Sequence, residues 1–426
     1  MLLGLIQNEA VVGDLSHNLR LIVQGYRRCL DAGAELIIAS AQALDGAFLH
    51  DLAARDSFRL QAQAALAALA GETSCPLLLA SYAGAPHEEV QAQPYLLSRG
   101  KVRRLPNRRA VSICGLRVLV DVGEQPVFAE KSGVDVRLHL PTAPWWLGQQ
   151  EAYRAGAARE SQQSGAHVLL LRGVGYTEGE LSPGGSLASS PRGASVQLPL
   201  FSACSRVWST RSAAAAAPPA TGEQLLSATS YGLRACMQQG GYEGVAIDVS
   251  APRAALLLGL ARLAVGARST VALCGDRHEL CALAGKRCAL TPAQAEERGL
   301  LLLSPLCLNE RLLGERTSAL PPLGEVYESE LALLQASLCE QLPAALSKLL
   351  PPCPPPPESE LALRLLAEQN ASLAEILTRY PGVDEARLRR QLRLWSAAGS
   401  LRGDLPAVPR IRRRLVHLPI GHRLHE

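Results

Sequence analysis

The amino-acid sequence predicts an α/β protein with two domains. In the first half, short apolar runs typical of buried strands, such as residues 2–7, alternate with amphipathic segments of helical periodicity, such as residues 15–32. In the second half, the strand–helix–strand pattern of residues 244–274 is typical of a βαβ unit and therefore of a parallel sheet. With 426 residues, the chain is long enough for two or three domains with separate cores.

The remaining predicted elements follow the same alternation. Further strands are predicted at residues 34–40, 77–82, 116–122, 136–140 and 167–171, and helices at 56–70, 146–164, 222–239 and 254–265. The Ala/Pro-rich segment 211–222 has the composition of an interdomain linker. The Pro-rich segment 349–357 predicts extended chain, and helices are predicted to dominate after residue 358.

Composition argues against several classes of function. Lys and Arg total 43 against 39 Asp and Glu, so the net charge of +4 gives little reason to expect a nucleic-acid partner. No apolar run approaches the ~20 residues of a membrane span, and the N-terminus lacks the basic start of a signal peptide. The odd count of 11 cysteines, without any C-x-x-C pair, argues for a reducing compartment. We therefore expect a cytoplasmic protein without nucleic-acid or membrane partners.

Five motifs, taken in order, carry a resemblance to a known family. They are Q-N-E-A-V-V-G-D-L-S-H-N (7–18), G-K-V-R-R-L-P-N (100–107), G-V-G-Y-T-E-G-E-L-S-P-G-G-S (173–186), T-V-A-L-C-G-D-R-H-E-L-C (270–281) and P-A-V-P-R-I-R-R-R-L-V-H-L-P-I-G-H-R-L (406–424). Together they resemble the glutamine-dependent NAD synthetases. The resemblance implies a nitrilase-like αββα glutaminase domain at 1–210, a linker at 211–222, and a shortened doubly wound, adenine-nucleotide-hydrolase-like (Rossmann-like) domain at 223–426. In the family, the second domain uses ATP, Mg and deamido-NAD.

The resemblance also implies where the first reaction centre should be. Nitrilase-like amidases need a Cys nucleophile, a Glu general base and a Lys that stabilises the oxyanion. The family pattern places these roles at Gly123, Ala41 and Val102, none of which can perform them. Lys101 lies one residue from the Lys position, and Cys114 lies nine residues before the nucleophile position.

The second reaction centre is altered in the same way. The family's S-G-G-x-D-S phosphate loop corresponds here to S-A-P-R-A-A at residues 250–255, in which only Ser250 is retained. Pro252 removes a backbone N–H donor from the loop that should hold the phosphates. The predicted remnants of nucleotide binding are the following residues: Ser250, Arg253, Asp276, Arg277 and Glu279.

Three interpretations of this pattern are open. We favour a catalytically inactive relative of the family that serves as a structural, regulatory or binding subunit, as a homo-oligomer or together with an active NAD synthetase paralogue. The second interpretation is an active glutamine- or ammonia-dependent NAD synthase with unrecognised replacement residues. The third is a different chemistry in the nitrilase-like cavity, for which Cys114 with Glu124 or Lys101 is the first candidate.

Overall fold

The computed structural model divides the chain into two compact units, Met1–Pro219 and Ala220–Glu426. It describes residues 1–85, 88–129, 133–211, 217–273, 278–288, 290–308, 310, 317–353, 360, 364–365, 373–379 and 385–386. The boundary between the units falls within the predicted linker at 211–222. The C-terminal motif at 406–424 lies outside the described residues.

The first unit is a four-layer sandwich. Its helices are α1 (Leu15–Asp31), α2 (Asp56–Gly71) and α3 (Gln149–Ser164). Its strands are β1 (Leu2–Gln7), β2 (Leu36–Ala39), β3 (Leu77–Ser81), β4 (Gln93–Ser98), β5 (Lys101–Arg104), β6 (Ala110–Ile113), β7 (Leu116–Gly123), β8 (Val136–Pro141), β9 (His167–Leu170), β10 (Val174–Thr177), β11 (Glu180–Pro183), β12 (Leu187–Ser189), β13 (Ser195–Gln197) and β14 (Cys204–Ser209). The strands form six-stranded sheets in the orders β14-β1-β2-β3-β4-β5 and β13-β12-β9-β8-β7-β6, and β10 pairs with β11.

Apolar side chains from both sheets form the centre of the sandwich. This cluster includes Leu5 and Ile38 from the first sheet and Val120, Leu138 and Leu169 from the second, each at most 1% exposed. A second cluster lies between the first sheet and helices α1 and α2, and a smaller one lies between the second sheet and α3. The αββα architecture predicted for this domain is therefore confirmed.

The sequence pattern identified the buried strands but missed most of the edge strands. All strands of the first unit predicted from apolar runs are present, with ends shifted by a few residues. The missed strands include β4 and β5, which are joined by the two-residue turn Arg99-Gly100, and β6, which is joined to β7 by Cys114-Gly115. All four of these turn residues have positive φ, as two-residue type I′ hairpins require. An X-Gly pair of this kind was the signal available for these hairpins.

The second unit has a four-stranded parallel sheet covered by helices. Its elements are α4 (Thr221–Gln239), β15 (Gly244–Asp248), α5 (Ala254–Val265), β16 (Thr270–Leu273), β17 (Lys286–Cys288), α6 (Pro292–Glu297), β18 (Leu300–Leu302), α7 (Glu328–Gln341), α8 (Ala344–Ser347) and α9 (Leu373–Arg379). The strand order is β17-β16-β15-β18, and all three pairings are parallel. The predicted βαβ unit is β15-α5-β16, so the doubly wound class is confirmed. Among the described helices, none is both long and apolar enough to cross a membrane.

A buried ionic network attaches α3 to the second sheet of the first unit. The His139 ring lies between two carboxylates, with Nδ1 3.1 Å from Asp121 and Nε2 2.9 Å from Glu160. Arg137 Nε lies 3.0 Å from the second oxygen of Glu160, and Arg108 Nε lies 2.6 Å from Asp121. Burial by itself lowers the pKa of His139, but the hydrogen bonds to both carboxylates outweigh it and raise the pKa above its usual value.

We expect this network to make the stability of the first unit depend on pH. Because the folded-state pKa of His139 is raised, the imidazolium stabilises the fold fully below the unfolded-state pKa of about 6.5, and this contribution is lost as the pH rises through the folded-state pKa. Replacing His139 by Gln leaves Asp121 and Glu160 without their shared cation. The free energy of unfolding should then fall by about 3 kcal/mol at pH 6, with a smaller loss at pH 9.

Urea unfolding of wild type and His139→Gln at both pH values measures this difference. His17→Gln serves as the control because His17 is only partly buried on α1 and lies outside the network, and it should leave the pH profile unchanged. Equal losses at both pH values in His139→Gln would show that His139 acts only through packing.

Candidate active sites

The carboxyl ends of the parallel strands bring two of the three predicted glutaminase positions together. Gly123 is the last residue of β7 and pairs with Pro141, the last residue of β8. Ala41 lies two residues beyond the end of β2. The side-chain amide of Gln42 donates to the Thr142 carbonyl over 3.3 Å, and the Thr142 N–H donates to the Gly123 carbonyl over 2.9 Å. Positions 41 and 123 therefore belong to one edge of the sandwich, as the resemblance implies.

The side chains at these positions provide packing and no chemistry. Ala41 is 1% exposed and belongs to the apolar cluster between the sheets, so no base stands there. Gly123 has no side chain, and a Cβ built on it would lie 3.2 Å from Nη2 of Arg108. The guanidinium of Arg108 therefore lies where a nucleophile would have to project.

The third predicted position, Val102, does not contribute a cation either. Val102 lies on the edge strand β5 with 40% of its surface exposed. It pairs directly with Leu97, which packs in the cluster under α1 and α2. Since directly paired residues share one face of a sheet, Val102 faces the helix layer. Lys101, its neighbour, pairs with Ser98 near the amino end of β3, so a shift of one residue would not bring an ammonium to the edge that holds Gly123.

The structure does not bring Cys114, the first candidate for a different chemistry in the nitrilase-like cavity, close to position 123 or Glu124. Cys114 lies in the turn before β7, whereas Gly123 and Glu124 lie at the other end of that eight-residue strand, roughly 20 Å away. Partial burial and the nearby Glu35 raise the pKa of the Cys114 thiol, so the reactive thiolate is disfavoured. Its Sγ lies 3.7 Å from the Glu35 carbonyl, which accepts its weak hydrogen bond.

Sequence reasoning missed a buried arginine at this edge. Arg172 follows β9, is 1% exposed, and donates from Nη1 and Nη2 to the side-chain oxygens of Gln149 and Gln150 in the first turn of α3. Its guanidinium also lies 5.1 Å from the ring centre of Tyr153. Burial lowers the pKa of Arg172 to about 10. The available signal was an Arg directly after the apolar run H-V-L-L-L at 167–171.

In the second unit, the strand order identifies the crevice where a nucleotide would bind. β15 is the first strand of the sheet, with β16 on one side and β18 on the other. In open parallel sheets, ligands bind outside the carboxyl ends of the strands where the strand order reverses. That point lies beyond Asp248 at the end of β15 and Leu302 at the end of β18.

Arg253 fills this crevice with a cation from the chain itself. It has φ of 57° and precedes α5, at the helix start where a phosphate would need backbone N–H groups. Its Nη1 lies 2.9 Å from Glu310 and donates to the Pro305 carbonyl over 3.2 Å, and its Nη2 lies 2.8 Å from Glu328. These hydrogen bonds outweigh burial and raise the pKa of Arg253. The side chain predicted as a phosphate ligand is therefore committed to two carboxylates.

The other predicted remnants offer a phosphate no better site. The Ser250 backbone N–H and hydroxyl both donate to the Asp248 carboxylate, over 2.8 and 2.6 Å. A phosphate placed there would meet an anion. Asp276 and Arg277 lie outside the described residues, as does the side chain of Glu279 in the 3-10 turn His278–Ala282.

The same crevice contains the cluster that could in principle hold a metal ion. Ligand atoms of Cys307, Glu310 and Glu328 lie within 4.8 Å of one another. The guanidinium of Arg253 already forms an ion pair with each carboxylate, and burial raises the pKa of the Cys307 thiol to about 12. A metal ligand must be deprotonated. These residues therefore fit neither the Mg nor the triphosphate that the resemblance implies.

We expect that a glutamate at position 41, where the family has its general base, would destabilise the first unit. Ala41→Glu would place a carboxylate among apolar side chains of both sheets, and the free energy of unfolding of the first unit should fall by about 3 kcal/mol. Ala155→Glu is the matched control because Ala155 is exposed on α3. A change of less than about 0.5 kcal/mol for Ala41→Glu would mean that the pocket still has room for a catalytic carboxylate.

We expect Arg253 to stabilise the second unit. Arg253→Ala leaves Glu310 and Glu328 facing each other, so the free energy of unfolding should fall by about 2 kcal/mol at pH 7, with a smaller loss at pH 4, because burial raises the pKa of Glu328 and favours its protonated form there. Thermal unfolding of the variant measures this change, and Arg268→Ala, an exposed arginine of the same unit, is the control. An unchanged Arg253→Ala would show that the crevice does not need this cation.

The chain is similar to known proteins in sequence and in fold. No protein-family model matches the chain. In sequence, 285 residues are 25% identical to the glutamine-dependent NAD(+) synthetase of Rhodobacter capsulatus, in a match that covers 58% of this chain and 51% of that protein. The chain thus spans about half the length of the curated relative it matches.

Two solved structures share the fold over nearly the whole chain. They are the glutamine-dependent NAD(+) synthetases of Cytophaga hutchinsonii, with a TM-score of 0.79 and 12% identity, and of Acinetobacter baumannii in complex with ADP, with a TM-score of 0.68 and 16% identity. Each match covers 99% of this chain and 97% of the solved one. The chain is therefore similar in part of its sequence, and in fold over nearly its whole length, to glutamine-dependent NAD(+) synthetases.

Proposed function

We propose that this chain is a catalytically inactive relative of the glutamine-dependent NAD(+) synthetases and works as a structural, regulatory or binding subunit. One observation carries the proposal. In both units, the residues at the strand ends where this fold places its chemistry cannot perform that chemistry. In the first unit these are Ala41 and Gly123, and in the second it is Arg253 with its two carboxylates.

The glutaminase half-reaction needs a thiolate at the edge of the sandwich. Without a thiol at position 123, no acyl-enzyme forms, and without a carboxylate at position 41 no base activates a nucleophile. Among the described residues, the thiol nearest along the chain to position 123 is Cys114, at the opposite end of β7. Two independent losses at one site support inactivity more strongly than either alone.

The synthetase half-reaction needs a cradle of backbone N–H groups for a triphosphate. Pro252 supplies no N–H, Ser250 donates to Asp248, and Arg253 is paired with Glu310 and Glu328. An incoming triphosphate would have to break these ion pairs and would face their carboxylates. ATP binding at this crevice is therefore disfavoured by charge as well as by shape.

The test compares this chain with an active glutamine-dependent NAD(+) synthetase in the same assays. Calorimetric titration with ATP and with deamido-NAD should show no binding, and NAD formation from either glutamine or ammonia should lie at least about 10⁴-fold below the active enzyme. Turnover above that level would establish the second interpretation, an active synthase with replacement residues. Nucleotide binding without turnover would make the chain a nucleotide sensor.

The proposal extends to partners and location. We propose that the chain assembles with itself or with an active NAD(+) synthetase paralogue in the cytoplasm, where its unpaired thiols would remain reduced. The nine cysteines whose thiols the structure describes are all free. Sedimentation of the purified chain, alone and mixed with the paralogue, distinguishes self-assembly from mixed assembly, and a monomer in both samples would contradict this extension.

A further inference from the structure

One edge of the sandwich in the first unit is strongly basic. Between residues 99 and 117 the chain has seven basic residues and no acidic one. All seven are exposed: Arg99, Lys101, Arg103, Arg104, Arg108, Arg109 and Arg117. We call this surface the basic edge. It consists of the turn Arg99-Gly100, β5 (the last strand of the first sheet), the connection 105–109, β6 (the last strand of the second sheet), the turn Cys114-Gly115 and the start of β7.

Most of the charge on the basic edge is uncompensated. Arg104 pairs with Glu88 at 3.0 Å, and Arg108 pairs with the buried Asp121 at 2.6 Å. The other five basic side chains make no ion pair with a described residue. Such a concentration of one sign creates a local positive potential although the net charge of the whole chain is only +4.

The backbone of the basic edge is also open to pairing. β5 is hydrogen-bonded to β4 on one side, and no described strand lies on the other. All four of its residues are exposed. Charged side chains on an edge strand protect it from pairing with another copy of the same chain, because two positive edges repel each other. An edge of this kind still accepts a strand of opposite charge.

We propose that the basic edge is the docking surface for an acidic polypeptide segment, which pairs with β5 as an added strand. This inference deepens the proposed function, on which it rests, by naming the surface and the chemistry of the partner. Carboxylates on alternate residues of the segment would meet Lys101 and Arg103, which lie on one face of β5, and its backbone would satisfy the open edge.

The observations favour a polypeptide over a nucleic acid. Residues 99–117 contain no Phe, Tyr or Trp, so the surface lacks the aromatic side chains on which unpaired bases stack. The open strand edge offers both N–H donors and carbonyl acceptors, and an extended peptide can pair with both, whereas a phosphate backbone can only accept.

The test uses three fluorescent probes on the full chain: a peptide of alternating Glu and Thr, the same peptide N-methylated at every backbone amide, and single-stranded DNA. The Glu/Thr peptide should bind, and the N-methylated peptide should bind at least about fivefold more weakly because it has no backbone N–H donor for β5 on either edge. The double variant Arg103→Glu/Arg109→Glu should weaken binding of the Glu/Thr peptide at least about tenfold.

The control variant is Arg159→Glu/Arg192→Glu, which makes the same change in net charge. Arg159 is exposed on α3, and Arg192 is exposed in the β12–β13 connection, at the opposite edge of the second sheet. It should change the affinity by less than about twofold. Equal binding of both peptides, equal loss in both double variants, tighter binding of DNA, or no binding of the Glu/Thr peptide would each overturn the proposal.

Failure of this proposal and failure of the proposed function give different results. NAD formation by a chain that binds the Glu/Thr peptide would overturn catalytic inactivity alone. A chain that forms no NAD and binds no peptide would overturn only the docking surface.

Discussion

The face-to-face packing of the two six-stranded sheets determines where the first unit can place chemistry. Because apolar side chains fill the space between the sheets, reactive groups can stand only at the rim, beyond the carboxyl ends of β2, β7, β8 and β9. The loops that follow these strands are held there by backbone hydrogen bonds, such as the one from the Thr142 N–H to the Gly123 carbonyl. The backbone geometry at Gly123 therefore does not require a nucleophilic side chain at that position. Loss of a nucleophile does not disturb the sandwich, and the sandwich does not restore one.

Two glycines, Gly46 and Gly184, allow parts of the chain to approach each other closely in the first unit. Gly46 has φ of 92°, and a Cβ on it would lie 2.5 Å from Cα of Val12. Gly184 has φ of 63°, and a Cβ on it would overlap the side chain of Gln7, whose amide donates to the Pro199 and Ser202 carbonyls. At these positions only glycine allows the backbone to lie so close to its neighbours, and the fold needs this close approach whether or not it is catalytically active. Motif glycines therefore indicate the fold and carry no information about activity.

Much of the fold was accessible from the sequence, because buried strands such as β1, β3 and β8 are apolar runs and α1 has a clear amphipathic period. Edge strands could not be predicted from apolar runs. For example, β5 is fully exposed and has no apolar pattern. The resemblance predicts Ala41 and Gly123 at the positions of the family's base and nucleophile, and the structure brings both to one edge of the sandwich. The groups that now occupy the sites could not be placed. Arg253 meets Glu310 and Glu328, which are 57 and 75 residues away along the chain, and Arg172 meets two glutamines of α3.

The two candidate sites share one physical property. In each of them, a cationic side chain of the protein itself lies where a charged group of a ligand would otherwise bind. In the crevice of the second unit, Arg253 gives two carboxylates a permanent partner, and these carboxylates would repel a triphosphate. At the rim of the first unit, Arg108 lies beside Gly123 and is held by Asp121. An ion pair has fewer requirements than a catalytic group, because it needs only contact between opposite charges and no reactive protonation state. Internal ion pairs can therefore stabilise strand ends that have neither a thiolate nor a phosphate loop, as Arg253 does beyond β15 and Arg108 does beside Gly123.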